Sequence, residues 1–155
     1  MVNTYFLDTS ALVKRYVPET GSNWIQSITD GAANNDLTIS QITWVELHSA
    51  LSRRQREGSM SAGGLDIILQ KFRNEFDTKY RVIEVDQALI ESAGQLVVQY
   101  PLCAYDAVQL TSGLYVKALL MSVPDTQLVF VSADNRLLNI AQSAGLVIDN
   151  PNNYP

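Results

Sequence analysis

Short apolar runs alternate with helix-periodic segments from one end of the chain to the other, and few folds accept that order. Tyr5-Phe6-Leu7, Leu37-Thr38-Ile39, Arg81 to Val85, Gln127 to Val131 and Leu146-Val147-Ile148 read as five strands. Thr9 or Ser10 can cap a first helix through Ala11, Leu12, Val13 and Tyr16, which Pro18 stops. Thr20 to about Ile28 reads as a second short helix. Ser40 or Thr43 caps a long one carrying Trp44, Leu47 and Leu51 that ends near Gly58. Leu65, Ile68, Leu69, Phe72 and Phe76 then form an amphipathic stripe. Asp86 caps a helix with Leu89, Ala93, Leu96 and Val97, and another spans about Ala104 to Leu120. The last holds Leu137, Leu138 and Ala141, with Gly145 as its C-cap. Strands separated by helices call for a mostly parallel sheet of about five strands with helices on both faces.

The 155 residues, 46% hydrophobic and 17% charged, suit one folded domain over 1–150 with a loose tail at 151–155. A net charge of −5 argues against general attraction to nucleic acid, so any RNA contact must use local basic patches. The single cysteine, Cys103, excludes an internal disulfide and a Cys-type zinc site, and the single histidine, His48, cannot build a histidine site. No apolar run approaches membrane-spanning length. The segment before Asp8 lacks the basic flank of a signal peptide, which makes a cytoplasmic protein with no membrane partner the expectation.

Four isolated acids, Asp8, Glu46, Asp106 and Asp134, each stand where a strand ends or a helix begins. In a parallel sheet those places share one rim, and ligands bind along it. Carboxylates gathered there repel unless a positive charge sits among them. Oxygen ligands alone suit Mg²⁺ or Mn²⁺, ions that serve phosphodiester hydrolysis. Each acid also has a plain structural use. Asp8 and Asp134 can cap the helices that follow them. Glu46 and Asp106 can complement a helix dipole. Glu46 shares its helix face with Ser49, Ala50 and Arg53, which looks like a groove floor. Lys14, Arg15, Arg53, Arg54 and Arg56 are the basic residues suited to hold RNA, although the three arginines near Gly58 also fit a solvated helix end. The stripes ending in Phe72 and Phe76 and carrying Trp44 and Leu51 exceed one small core, so part of them is expected to face a second subunit or a partner's helix.

Five segments carry a resemblance: Tyr5 to Lys14, Glu19-Thr20-Gly21-Ser22, Trp44-Val45-Glu46-Leu47, Tyr105 to Leu110, and Ser132-Ala133-Asp134-Asn135-Arg136-Leu137-Leu138. Together, in this order, they resemble the PIN-domain ribonucleases, and the VapC-type toxins of type II toxin–antitoxin pairs most of all. The resemblance implies a PIN-like three-layer α/β/α fold. It also implies a Mg²⁺- or Mn²⁺-dependent endoribonuclease in which Asp8, Glu46, Asp106 and Asp134 hold one or two ions and Thr9 or Ser10 assists. Its implied partners are RNA, a small antitoxin and a second copy of the chain. Two departures stand out. A basic residue is common just before the third acid, where this chain has Leu102-Cys103-Ala104, and a His three residues after it, where this chain has Gln109. Two readings compete within the fold: a non-catalytic PIN-like module that binds RNA or protein, and a free-standing RNA-processing nuclease. A haloacid-dehalogenase-style phosphotransferase wants a second Asp where Ser10 stands. A receiver domain wants an early acidic pair and a late Lys that are missing here.

Overall fold

The structure is a computed structural model and describes residues 2–155. Five strands form one sheet: β1 (Val2–Leu7), β2 (Asp36–Ser40), β3 (Arg81–Ile83), β4 (Thr126–Val131) and β5 (Val147–Asp149). All are parallel, in the order β3-β2-β1-β4-β5. Seven helices connect them among the described residues: α1 (Thr9–Tyr16), α2 (Ser22–Thr29), α3 (Thr43–Arg56), α4 (Ala62–Thr78), α5 (Gln87–Gln99), α6 (Ala104–Leu120) and α7 (Asn135–Ser143). The expected α/β alternation is present, with β3 two residues shorter than its apolar run.

Strand residues alternate between two cores because successive side chains point to opposite faces. Phe6, Leu128 and Phe130 join α5, α6 and α7 on one side. Leu7, Leu37, Ile39 and Val131 join α1, α2, α3 and α4 on the other. The result is a three-layer α/β/α fold. From β1 the chain moves outward through β2 to β3, then returns to place β4 on the other side of β1. Helix α1 leaves β1 onto one face, and α7 leaves β4 onto the other. The carboxyl ends of β1 and β4 therefore open a crevice where the winding reverses, the usual ligand position in an open parallel sheet. Asp8 stands at one lip and Ser132-Ala133-Asp134 at the other.

Gly113 sets how closely α6 lies on that sheet. A Cβ there would fall 2.7 Å from Phe130 Cδ2, and Phe130 stacks on Phe6 at 5.3 Å between centroids. Small size at Gly113 lets α6 carry Asp106 and Gln109 up to the crevice.

Three expectations change. Neither Thr9 nor Ser10 caps α1: Asp8 holds the N-cap position, and both residues already lie in the helix. Neither Ser40 nor Thr43 caps α3: its N-cap is Ile42, which makes no side-chain cap bond, while Thr43 is already the first helical residue. The tail is not loose. Pro151 is buried in a short 3-10 turn, Tyr154 stacks on Trp24 at 4.5 Å, and its hydroxyl donates to Asp149 Oδ2 at 3.0 Å. The long stripes are core only in part: Trp44, Leu65, Ile68, Leu69 and Phe76 are half-buried. Leu51 and Phe72 are fully buried, and Trp44, His48, Phe72 and Phe76 form one ring cluster between α3 and α4. No described helix is long and apolar enough to cross a membrane.

Gly113→Ala should drive a methyl into Phe130 and cost about 1–3 kcal/mol of overpacking. Gly94→Ala in α5, where nothing lies within 4 Å, should instead gain up to about 1 kcal/mol in helix propensity. Urea unfolding of the two variants side by side checks this. Equal effects would contradict the close approach of α6.

Candidate active site

The four acids line one cleft of about 470 Å³ with Thr9, Ser10, Ser49, Ala50, Arg53 and Arg54. Four different elements deliver them. Asp8 follows β1, Glu46 lies in the first turn of α3, Asp106 in the first turn of α6, and Asp134 just before α7. A larger cavity of about 680 Å³ lies along β3, α5 and α6, walled by side chains such as Leu89, Leu96 and Leu114. One of the two acids on that wall, Asp86, is engaged in capping α5. The acid-lined cleft, unlike the larger cavity, gathers all four of the acids singled out in the sequence.

Asp8 occupies the N-cap position of α1, yet its side chain makes no cap bond. Its Oδ2 instead accepts from Ser10 Oγ at 2.6 Å and Ser132 Oγ at 2.9 Å. Both hydroxyls also accept from the β4 loop: Ser10 Oγ from the Ala133 amide at 2.9 Å, and Ser132 Oγ from the Asp134 amide at 3.1 Å. The two serines thus staple the lips of the crevice together through one carboxylate. Glu46 Oε1 accepts from Thr9 Oγ1 at 3.1 Å and Gln109 Nε2 at 2.7 Å. The two hydroxyls after the first acid divide their work: Ser10 serves Asp8 and Thr9 serves Glu46. Asp134 does act as a cap, its Oδ1 accepting from the Arg136 amide at 2.8 Å and the Leu137 amide at 3.4 Å.

Burial pushes the Asp8 carboxyl above its ordinary range, and the nearby charge of Asp106 adds to that, while the bonds from Ser10 and Ser132 oppose it. Glu46 is raised for the same reason. Burial leads, the charges of Asp8 and Asp106 add to it, and the bonds from Gln109 and Thr9 oppose it. These carboxylates feel one another across the cleft but are not drawn to a point. Among the described residues no group of three or more His, Cys, Asp or Glu side chains is placed to hold an ion as it stands. The donor chemistry nonetheless fits a hard divalent cation: all-oxygen, rich in negative charge and partly dehydrated. Asp106 and Asp134 are half-exposed.

Of the basic residues expected to hold RNA, Arg53 and Arg54 line the cleft. Arg54 is fixed by Glu19 Oε1 at 2.9 Å and by the Ala50 carbonyl at 3.1 Å. Arg56 is exposed beyond the cleft wall. Lys14 and Arg15 are corrections. Lys14 is buried beside Glu19, 3.6 Å away. Arg15 grips Glu75 through Nε at 2.9 Å and NH2 at 3.2 Å, and reaches Thr29 Oγ1 at 2.9 Å. Both sit on the first helix, where the approach of Glu19 and α4 covers them. Sequence reasoning missed Ser132, Gln109 and Glu19 as parts of the site. The signal for Gln109 was a lone amide between Val108 and Leu110, one helical turn after an acid.

The PIN-domain family model matches residues 5–142. The chain belongs to the PIN-domain family. Ribonuclease VapC45 of Mycobacterium tuberculosis (strain CDC 1551 / Oshkosh) is 29% identical over 140 residues, 90% of each chain. FitAcB from Neisseria gonorrhoeae superposes with a TM-score of 0.65 at 14% identity, over 95% of this chain and 97% of that one. A toxin-antitoxin complex from Klebsiella pneumoniae gives a TM-score of 0.62 at 17% identity, over 95% and 97%. The two structures share the fold with this PIN domain.

The raised carboxyls fix a pH dependence. A carboxyl whose folded pKa exceeds its unfolded one costs nothing while protonated in both states. It destabilises the fold as the pH rises from its ordinary value, 3.8 for Asp8, through the raised one. Metal-free protein should therefore lose stability across that window. Asp8→Asn should melt higher than the wild type at pH 7 in EDTA, by about 2–4 °C per kcal/mol relieved. The gap should narrow toward pH 4. Thermal melts across pH check it, and a lower melting temperature for the variant at pH 7 would contradict it.

Proposed function

We propose that this chain is a metal-dependent endoribonuclease, the toxin of a toxin–antitoxin pair, which hydrolyses RNA phosphodiesters in the cleft of Asp8, Glu46, Asp106 and Asp134. The observation that carries the reading is the convergence of these four acids from four elements on one cleft walled by Arg53 and Arg54. The ribonuclease name of the M. tuberculosis relative supplies the substrate class.

Bound among the carboxylates, Mg²⁺ or Mn²⁺ would lower the pKa of a coordinated water and offset charge on the phosphoryl oxygens. The chain's own residues do the rest. Asp8, buried and oriented by two serines, offers a fixed carboxylate at the floor. Asp106 reaches in from the opposite helix, and Glu46 completes the cluster from α3. Asp134 keeps one oxygen on its helix amides and has the other to offer, directly or through water. Arg54, held by Glu19, and Arg53 beside it contact the phosphates of the strand. Such contacts position RNA without reading its sequence. No protein nucleophile is required.

This reading gives the toxin a small antitoxin as partner, in keeping with the toxin-antitoxin complex that shares its fold. It also gives a homodimer as the working form and the cytoplasm as its place. Ile67, Val98 and Leu119 are exposed apolar side chains that such partners would cover.

Purified protein freed of any antitoxin should cut a structured-RNA pool with Mg²⁺ or Mn²⁺ and stop in EDTA. Asp106→Asn should lose about 10²–10³-fold in rate, since charge stabilisation by the ion is worth several kcal/mol and each 1.36 kcal/mol is tenfold. Folded protein that cuts nothing with either metal would instead make the chain a binding module.

A further inference from the structure

Gln109 has no exposed surface, and nothing in the proposed chemistry uses it. Its Nε2 faces three acceptors: Glu46 Oε1 at 2.7 Å, Thr43 Oγ1 at 3.0 Å and Thr9 Oγ1 at 3.1 Å. The shortest goes to the carboxylate, as expected for a bond to a charged acceptor. The amide fits only this way round, because a flip would set a carbonyl oxygen 2.7 Å from a carboxylate oxygen. Holding it so leaves Gln109 Oε1 buried without a partner. A fold carries an orphaned buried acceptor where something else is gained. Thr9 donates to the same Glu46 oxygen from the other side at 3.1 Å, and lies 3.5 Å from Thr43. Both bonds that reach Glu46 in this cluster, from Thr9 and from Gln109, fall on its Oε1.

We infer that Gln109 is a positioning residue: clamped by Thr9 and Thr43, its amide fixes Glu46 through one oxygen and so presents the other to a divalent cation in the cleft. The inference rests on the metal-dependent reading of that cleft. It predicts that cation affinity depends on a side chain that touches neither ion nor RNA. Partners of this kind commonly change metal affinity 10–100-fold. Gly113, one turn further along α6, lets the helix come close enough for the amide to reach.

The test is Mn²⁺ binding, read from the electron paramagnetic resonance signal of free Mn²⁺, for wild type, Gln109→Leu, Glu46→Gln and the double variant, with circular dichroism to confirm folding. Gln109→Leu should weaken Mn²⁺ binding about tenfold or more. In the Glu46→Gln background, where there is no carboxylate left to hold, it should change nothing further. An equal loss in both backgrounds would reduce Gln109 to a packing role and overturn the inference. Unchanged affinity in the single variant would overturn it too. If the leucine variant fails to fold, Gln109→Asn is read the same way, since it keeps the amide but withdraws it from Glu46. Wild type that binds no Mn²⁺ would sink the metal-dependent reading itself, an outcome separate from either of these.

Discussion

Carboxylates brought within reach of one another repel, and burial sharpens the repulsion. The rim between β1 and β4 is organised against it. Asp8 loses nearly all its water and keeps two serine hydroxyls in exchange. Glu46 is steadied by a threonine and an amide. The donors come from α1, the loop after β4 and α6, so the same bonds that ease the charge also tie β1 to β4 and α3 to α1 and α6. The staple at the crevice and the clamp on Glu46 hold the layers in register where the sheet's winding reverses.

Those bonds ease the charge without cancelling it, since Asp8 and Glu46 both stay raised. The metal-free fold therefore carries a cost at neutral pH that a bound cation would remove. With a cation in the proposed site, stability and cation affinity would be two views of one interaction, a common arrangement where a binding site is built at the expense of the scaffold.

Much of this was legible in the sequence. Short apolar runs and 3.6-period stripes located the five strands and seven α-helices, because burial against two faces forces those patterns on the chain. Strand order was not legible, since nothing local distinguishes β4 beside β1 from β4 beside β3. The acids were found as residues but not their handling. Asp134 proved to be a cap as well as a cleft residue, while Asp8, in the cap position, caps nothing. Lys14 and Arg15 misled because charge and nearness to Asp8 say nothing about a partner 60 residues away such as Glu75. Gln109 was noticed only as a departure from the family pattern. Its reach to Thr9, Thr43 and Glu46 spans up to 100 residues of chain and exists only once α6 packs on the sheet.

Everything turns on whether these carboxylates hold a cation together. Crystals soaked in Mn²⁺ and measured at the manganese absorption edge answer it directly. An anomalous peak in the cleft within ligand distance of Asp8 and of Asp106 or Glu46, with the half-exposed acids turned inward, is the result expected. Saturating Mn²⁺ with no peak in the cleft, and the four carboxylates left apart, would contradict the account.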